Sequence, residues 1–417
     1  MLKRYLVLLC CSWGWWLPGS AQHCAADLFL QMRLSANPYL QEQQAAIDAR
    51  IQQWIDNKTL RPRAVVTIPV VVHVVWREAI ENISDEQVQS QIEVLNRDFR
   101  ARNPEIATVP AIFRPVIADV EIEFCLAMTA PDGSLTTGIT RRQTEVTQIG
   151  SRFLQGRRAI CYTDLGGQNA WDTEHYLNIW IGKSTPLFIG EASFPGMDPP
   201  GEDGVRIDPV YFGTTGTVLP PYHLGRTVTH EIGHYFNLLH PWGMRFDNAS
   251  CDQDDGINDT PRQSSTFRGE CPVHPQIFCG TASMFMNFMN YTDDACMAMF
   301  TNGQKMRMLA ALQLFRSGLM DAAGCQPPVS SQSAAPIAQA IRLSQNPVHR
   351  ALQLQSAKTF SNPLRVRLLN VQGQELFSGV WQTGAIWTLD VSRFPAGLYV
   401  VVIQDREAIH TEKVVIR

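Results

Sequence analysis

The sequence predicts an α+β body over residues 62–325 and a small β-sandwich over residues 341–417. Three observations point there. Apolar runs of strand character and an amphipathic run of helical spacing are mixed along the first half of the chain, so its class is α+β or α/β. From Gln326 to Gln339 the composition collapses to Pro, Ser, Ala and Gln, as in a linker, here placed at residues 326–340. Beyond it, short β-rich runs (Leu364 to Leu369, Leu398 to Ile403, Lys413 to Ile416) are divided by Gly373, Gly384 and Pro395-Ala396-Gly397.

In chain order, Lys3 and Arg4 precede an apolar run from Tyr5 to Leu17, then Pro18-Gly19-Ser20-Ala21, the order of a secretory signal with cleavage expected after Ala21. Residues 22–61 read as a polar helical propeptide, helical from Gln41 to Trp54 and ending in an exposed basic stretch, Leu60 to Arg63, that is easily nicked. Ile68 to Trp76 is a buried-strand run. Ser84-Asp85-Glu86-Gln87 resembles a capping box, opening a helix with Val88, Ile92, Val94, Leu95 and Phe99 inward. Further strands are expected near Val120 to Leu126 and Tyr176 to Ile181.

Charge and cysteine content narrow the function classes. The formal charge is -4 with no long Lys/Arg run, which leaves no electrostatic footprint for nucleic acid. Past the first twenty residues no stretch holds the roughly 20 apolar positions needed for a transmembrane span. Removal of the signal leaves Cys24, Cys125, Cys161, Cys251, Cys271, Cys279, Cys296 and Cys325, and eight cysteines in an exported chain suggest disulfides. Four of them crowd between Cys251 and Cys296, where little apolar periodicity exists to build a core.

The chemistry lies in His230-Glu231-Ile232-Gly233-His234-Tyr235-Phe236-Asn237-Leu238-Leu239-His240. Histidines four apart on a helix share a face and hold one ion between them. His240 reaches the same ion only if the helix ends after Phe236 and turns sharply through a residue that tolerates positive φ, a role Asn237 fills. Three neutral imidazoles leave one tetrahedral position for water, the arrangement of catalytic zinc. The ion lowers that water's pKa toward about 7, and Glu231 is placed to act as general base. Coincidence is a poor rival, since the chain has only 10 histidines. A structural metal is the other bland reading, but it needs a fourth protein ligand nearby, and the flanking residues offer Trp242 and Met244.

The three-histidine motif resembles that of the metzincin zinc endopeptidases, and the residues after it narrow the likeness to the pappalysin group, peptidase family M43. Those residues are Trp242-Gly243, Cys251-Asp252 running to Asp259-Thr260-Pro261, Asn287 to Met297, and Phe300-Thr301 with Gly303-Gln304 and Arg307-Met308. The likeness spans roughly residues 65 to 325 and implies a metzincin catalytic domain: a twisted mixed sheet, an active-site helix and a loop-rich lower subdomain. It departs from the family at Asn237, where metzincins usually have Gly; Asn enters the left-handed region at little cost.

Several roles follow from the resemblance. Met289 is implied as the Met-turn residue, a thioether packed under the histidines, a role close to that of an ordinary core Met. Tyr291 is implied to hydrogen-bond the developing oxyanion, the alternative being a buried Tyr with a satisfied hydroxyl. The likeness pairs Cys251 with Cys279 and Cys271 with Cys296, one of three connectivities open to four cysteines. Members of the group bind calcium in the region of Asp252 to Thr260, which here places Asp254, Asp259 and Thr260 as ligands; a solvated acidic turn is the alternative. Cys24 is a candidate to occupy the open zinc position of a zymogen, against a disulfide with Cys125, Cys161 or Cys325.

The tail resembles the C-terminal sorting domain of the type IX secretion pathway of certain Gram-negative bacteria. The likeness is carried by Asn346-Pro347, Val371 to Leu376, Leu389 to Ser392, Pro395 to Tyr399 and Lys413 to Arg417. An accessory binding β-module is the alternative, but Trp381, Trp387 and Tyr399 are spread across alternating strands, which favours core packing. The expected protein is thus a secreted or cell-surface zinc endopeptidase made as a zymogen, acting on proteins or peptides and exported by type IX machinery. Its rival is a surface adhesin or binding protein with a structural metal site.

Overall fold

A computed structural model describes residues 22–57, 65–186, 188–244, 250–268, 270–327, 341–356, 363–382, 386–404 and 409–417. The expected signal at 1–21, the basic stretch at Leu60 to Arg63, Gly384 and nearly all of the expected linker lie outside the described residues. Two compact units divide the chain, the larger reaching to Gln326 and the smaller comprising Pro327–Arg417 with Gly133–Leu135. No helix among the described residues is long and apolar enough to cross a membrane.

The N-terminal segment is a short strand followed by two helices: β1 (Gln22–Cys24), α1 (Ala26–Ala36) and α2 (Pro38–Asp56). The single helical stretch expected there is broken because Pro38 disfavours the α region for Asn37. Asn37 is extended (φ -144°, ψ 103°), and its side chain accepts from the Tyr39 N–H to cap α2. Gln44, Ile47 and Ile51 are the buried face of α2.

The central sheet of the larger unit is built on β2 (Val66–Trp76), with β3 (Ile122–Leu126) and β4 (Ile139–Gln143) parallel to it along successive halves of one edge. A short hairpin of β5 (Phe153–Leu154) and β6 (Arg157–Arg158) follows. On the other side of β2 come β7 (Leu177–Ile181), then β9 (Val205–Ile207), both parallel, then β8 (Phe188–Ala192), antiparallel to β9. Strand β1 completes the sheet, parallel to β8, with Gln22 opposite Phe188 and Cys24 opposite Gly190.

Helix α3 (Asp85–Asp98) begins with the Ser84 hydroxyl accepting from the Gln87 N–H at 3.2 Å, but the return half of the expected capping box does not form, since the Gln87 amide donates to Pro209 O and Phe212 O. Val88, Ile92, Leu95 and Phe99 enter a core with Val70, Val72, Ile179 and Val228. Helix α4 (Arg226–Tyr235) is buried along its length and packs on α3, β8 and β9. After it the chain is loop-rich, with a hairpin of β10 (Ile277–Phe278) and β11 (Thr281–Ala282) before α5 (Asn302–Phe315). Thr301 and Gln304 form the capping box of α5. Disulfides join Cys251 to Cys279 and Cys271 to Cys296, the pairing the resemblance implied, and a third joins Cys125 to Cys325.

The smaller unit has a three-stranded sheet, β12 (Ile341–Leu343), β13 (Ala351–Ser356) and β16 (Trp387–Asp390). Its second sheet has four strands in the order β15 (Glu375–Trp381), β14 (Leu364–Asn370), β17 (Gly397–Gln404) and β18 (Ile409–Ile416). Leu352 and Leu354 of the first sheet share one apolar core with Val366, Leu368, Val401 and Ile403 of the second, an arrangement that fits a β-sandwich. Trp381 and Tyr399 are buried in it.

Candidate active site

Helix α4 carries His230 and Glu231 on one turn and His234 on the next, all buried. It stops where the sequence required. Asn237 takes φ +70°, the Leu238 N–H bonds to Gly233 O at 2.9 Å and the Asn237 N–H to His234 O at 2.8 Å. These two bonds are a Schellman ending with Asn in the position glycine usually takes. The chain thereby turns back and brings His240 to the other two histidines.

The three Nε2 atoms stand 3.1, 3.1 and 3.2 Å from one another. Each ring is held from its far side: His230 Nδ1 bonds to Phe288 O at 2.7 Å, His234 Nδ1 to Leu238 O at 2.7 Å, and His240 Nδ1 to the Asp27 carboxylate. A carbonyl or carboxylate acceptor keeps the proton on Nδ1, so three Nε2 lone pairs point at one spot. Burial, then the neighbouring rings, push His234 well below the ordinary histidine range; burial pushes His240 down to about 3. Three converging lone pairs repel one another unless a cation lies between them. Ligands about 2.0–2.1 Å from a tetrahedral zinc stand about 3.3–3.4 Å apart, so the residues present fit that ion.

Two close approaches account for glycines at the site. A Cβ on Gly233 would collide with Met289 Sδ, so the buried Met289 thioether lies directly against the helix that carries the histidines. A Cβ on Gly190 of β8 would stand 2.7 Å from Glu231 Oε1, so the carboxylate lies against the bare backbone of that strand. Glu231 Oε1 is buried without a hydrogen-bond partner among the described residues. Burial, then Glu191 and Asp27 nearby, hold its pKa well above the usual carboxylate range.

Cys24 is not in a disulfide, and neither is Cys161; both are buried. Instead Cys24 joins the histidines, its Sγ and the three imidazole nitrogens all lying within 4.8 Å of one another. Sγ is 3.5 Å from Glu231 Oε2 and accepts from the Ala26 N–H at 3.4 Å. Burial raises the thiol pKa well above its ordinary value, with Glu231 and Asp27 adding to it, so a thiolate there requires a cation beside it. The fourth donor that flanking residues did not offer is therefore supplied from the other end of the chain.

The ring of Tyr291 lies 4.7 Å from that of His240 and 5.7 Å from that of His230, and Trp242 stacks on His240 at 4.6 Å. Beside the histidines is a cavity of about 270 Å³ walled by Cys24, Ile189, Tyr222, Tyr291, Asp294 and Met297. Asp294 Oδ2 accepts from the Leu224 N–H at 2.7 Å and the Arg226 N–H at 3.3 Å, while Oδ1 is buried with no hydrogen-bond partner among the described residues.

The residues expected to hold calcium turn to protein partners. Asp259 accepts from Thr301 Oγ1 at 2.6 Å and the Gly303 N–H at 2.9 Å, at the start of α5. Asp254 pairs with Arg262 at 2.9 Å, and Thr260 Oγ1 donates to Asp255 at 2.7 Å. Among the described residues no three acids of this loop converge. Asp27, the partner of His240, went unnoticed in the sequence, because an Asp three residues from a lone Cys carries no signal until the fold brings it to the ring.

Both units of the chain resemble known proteins. Residues 163–313 match a peptidase family model described as pregnancy-associated plasma protein-A, and residues 346–417 match one described as a secretion system C-terminal sorting domain. A promirolysin variant of Tannerella forsythia is 37% identical, covering 72% of this chain and 98% of its own at TM-score 0.64. Mature mirolysin of that organism, in complex with a cleaved peptide, is 41% identical and covers 63% and 97% at TM-score 0.58. An extracellular metalloprotease of Verticillium alfalfae is 27% identical over 305 residues, 71% of this chain and 95% of that protein.

Proposed function

Because the chain belongs to the pappalysin family of metalloendopeptidases, we propose that it is a zinc endopeptidase with Glu231 as general base, made as a zymogen that Cys24 keeps silent. The observation that carries this is the convergence of His230, His234 and His240 Nε2 within 3.2 Å, with a partnerless Glu231 oxygen beside them. The sorting domain at its C-terminal end marks it as exported, to the medium or the cell surface, and its substrates are proteins or peptides.

Zinc held by the three imidazoles supplies Lewis acidity and a water acidified toward pKa about 7. Glu231 accepts the proton of the attacking water and passes it to the leaving amine. Tyr291, beside His230 and His240, is assigned to hydrogen-bond the oxyanion. Phe288 O and Leu238 O hold His230 and His234 in the tautomer that presents Nε2, and in the precursor Asp27 does the same for His240. Met289 fills the space beneath, where Gly233 leaves room.

In this reading residues 1–21 are a signal peptide, 22–61 a propeptide and 62–325 a metzincin domain; 326–340 are the linker and 341–417 the type IX sorting sandwich. Strand β1 lies on the free edge of β8, the place an extended substrate would take, and blocks it. Asp294 gives the adjacent cavity an acidic floor. Burial lifts its pKa to about 6, so the carboxyl is charged at neutral pH. Its partnerless Oδ1 favours lysine or arginine as the residue following the scissile bond. A calcium ion at the 251–260 loop would require Asp254, Asp259 and Thr260 to exchange their protein partners for the ion, which thermal melts with and without calcium would detect.

The test is Glu231→Ala in the processed protein. Cleavage of a denatured protein should fall by about 10²–10⁴-fold with zinc still bound. Activity equal to the parent would dismiss the assignment.

A further inference from the structure

The N-terminal segment fills a second hollow besides the one it blocks at the histidines. Arg33 of α1 donates to Met197 O at 2.7 Å and pairs with Asp198 at 2.7 Å and Glu202 at 3.4 Å. One turn earlier the Phe29 ring lies 5.6 Å from Phe153 and 5.7 Å from Phe188, with the Arg158 guanidinium 5.2 Å from its centroid. A cavity of about 210 Å³ remains between these two side chains and Arg158, Phe194 and Asp198.

The charges here balance only while Arg33 is present. Arg158 bonds Glu191, Asp198 and Glu202, and Arg206 bonds Glu191, so Arg33, Arg158 and Arg206 face three carboxylates. The side chains of Asp198 and Glu202 are only 5% and 3% exposed. Loss of residues 22–61 removes one cation and leaves three carboxylates facing two guanidinium groups, a net negative charge of one in a recess that the departing side chains open. A cation on an incoming ligand would restore the balance.

We infer that the recess occupied by Phe29 and Arg33 is a substrate subsite of the processed protein, taking an arginine or lysine side chain that precedes the scissile bond. This rests on the endopeptidase reading above. Along β8 the Asp294 cavity lies at Ile189, Glu231 at Gly190, and the second recess at Ala192, so the two hollows flank the catalytic carboxylate. If the first takes the residue following the cut, the second takes one before it.

The experiment uses processed protein and a peptide series with arginine fixed after the scissile bond. Each of the four preceding positions carries Arg, Ala or Glu in turn, and kcat/KM is measured for each. In the parent, Arg should exceed Ala by about tenfold at one of these positions, with Glu below Ala. Asp198→Asn, which keeps the shape and removes the charge, should bring that Arg-to-Ala ratio close to one. Ratios near one at all four positions in the parent would overturn the subsite while leaving the endopeptidase reading standing; so would a ratio unchanged by Asp198→Asn. If Asp198→Asn does not fold, the parent's Glu series decides, since Glu cleaved as well as Arg overturns the proposal. Failure to cleave any peptide would instead strike the endopeptidase reading, and this inference with it.

Discussion

The Sγ of Cys24 lies 3.5 Å from Oε2 of Glu231, across 207 residues of sequence. A thiol of the N-terminal segment thus meets the glutamate beside the histidine cluster, and both are buried. In that position the thiol completes a set of four donors, the closed arrangement of a structural metal site. In the zymogen reading proposed above, its departure would open a position for water.

Replacement of Cys24 should therefore activate the precursor. A Cys24→Ala full-length chain is expected to cleave peptides, before any processing, at least about tenfold faster than the parent precursor, equivalent to roughly 1.4 kcal/mol of lost blocking contact. A precursor that stays silent would assign latency to β1, which still covers the β8 edge in this variant, rather than to the thiol.

Metal content is the second check. Purified processed protein should hold one zinc per chain. Removal of the zinc with a chelator should abolish cleavage and lower the melting temperature, because an ion bound to the folded state alone stabilises it by mass action. Added zinc should restore both. Full activity in protein free of metal would end the proposal.

Asp294→Asn tests the acidic floor. Asn retains an acceptor for the Leu224 and Arg226 N–H groups but has no charge. Cleavage before Lys or Arg should drop by roughly 10–100-fold, the loss of a charge-assisted hydrogen bond, with a smaller change before apolar residues. Cut sites mapped by mass spectrometry that keep the parent's preference would move the specificity elsewhere.

His73 predicts part of the acid sensitivity. It lies fully buried in β2, bonded to Thr140 Oγ1 at 2.7 Å and Asn178 Oδ1 at 2.9 Å, and burial pushes its pKa down to about 4. The unfolded chain protonates this histidine near 6.5, above the folded value. Its contribution is therefore fully present above pH 6.5 and is lost as the pH falls to about 4, in all about 3 kcal/mol. In His73→Gln the decline in urea stability over that window should be shallower by this amount; equal slopes in the two proteins would acquit His73.

Local signals in the sequence found several elements because their causes are local. The β2 run is mostly apolar since both faces are buried, the Ser84 cap precedes α3 at the expected residue, and Asn237 turns the chain because few other residues accept φ near +70°. The helical period from His230 to His234 places two imidazoles on one face without reference to the rest of the molecule. The N-terminal segment was harder. It reads as polar helix, but Gln22–Cys24 becomes a strand because β8 offers an unpaired edge, which no property of those three residues announces.

The residue types that make a metal site, their spacing along α4 and the turn that returns His240 to it were dictated by the amino-acid order, since helix periodicity and the conformational range of one Asn are properties of neighbours in the chain. Which atoms surround that site was decided by tertiary structure alone. Cys24 and Asp27 reach it from more than 200 residues away, Asp294 is aimed into the adjoining hollow by two backbone N–H groups, and Arg33 balances a buried cluster assembled from β6, β8 and the loops around β9. Contacts of that range depend on how strands are ordered in the sheet and which edge is left open, and no window of sequence contains that information.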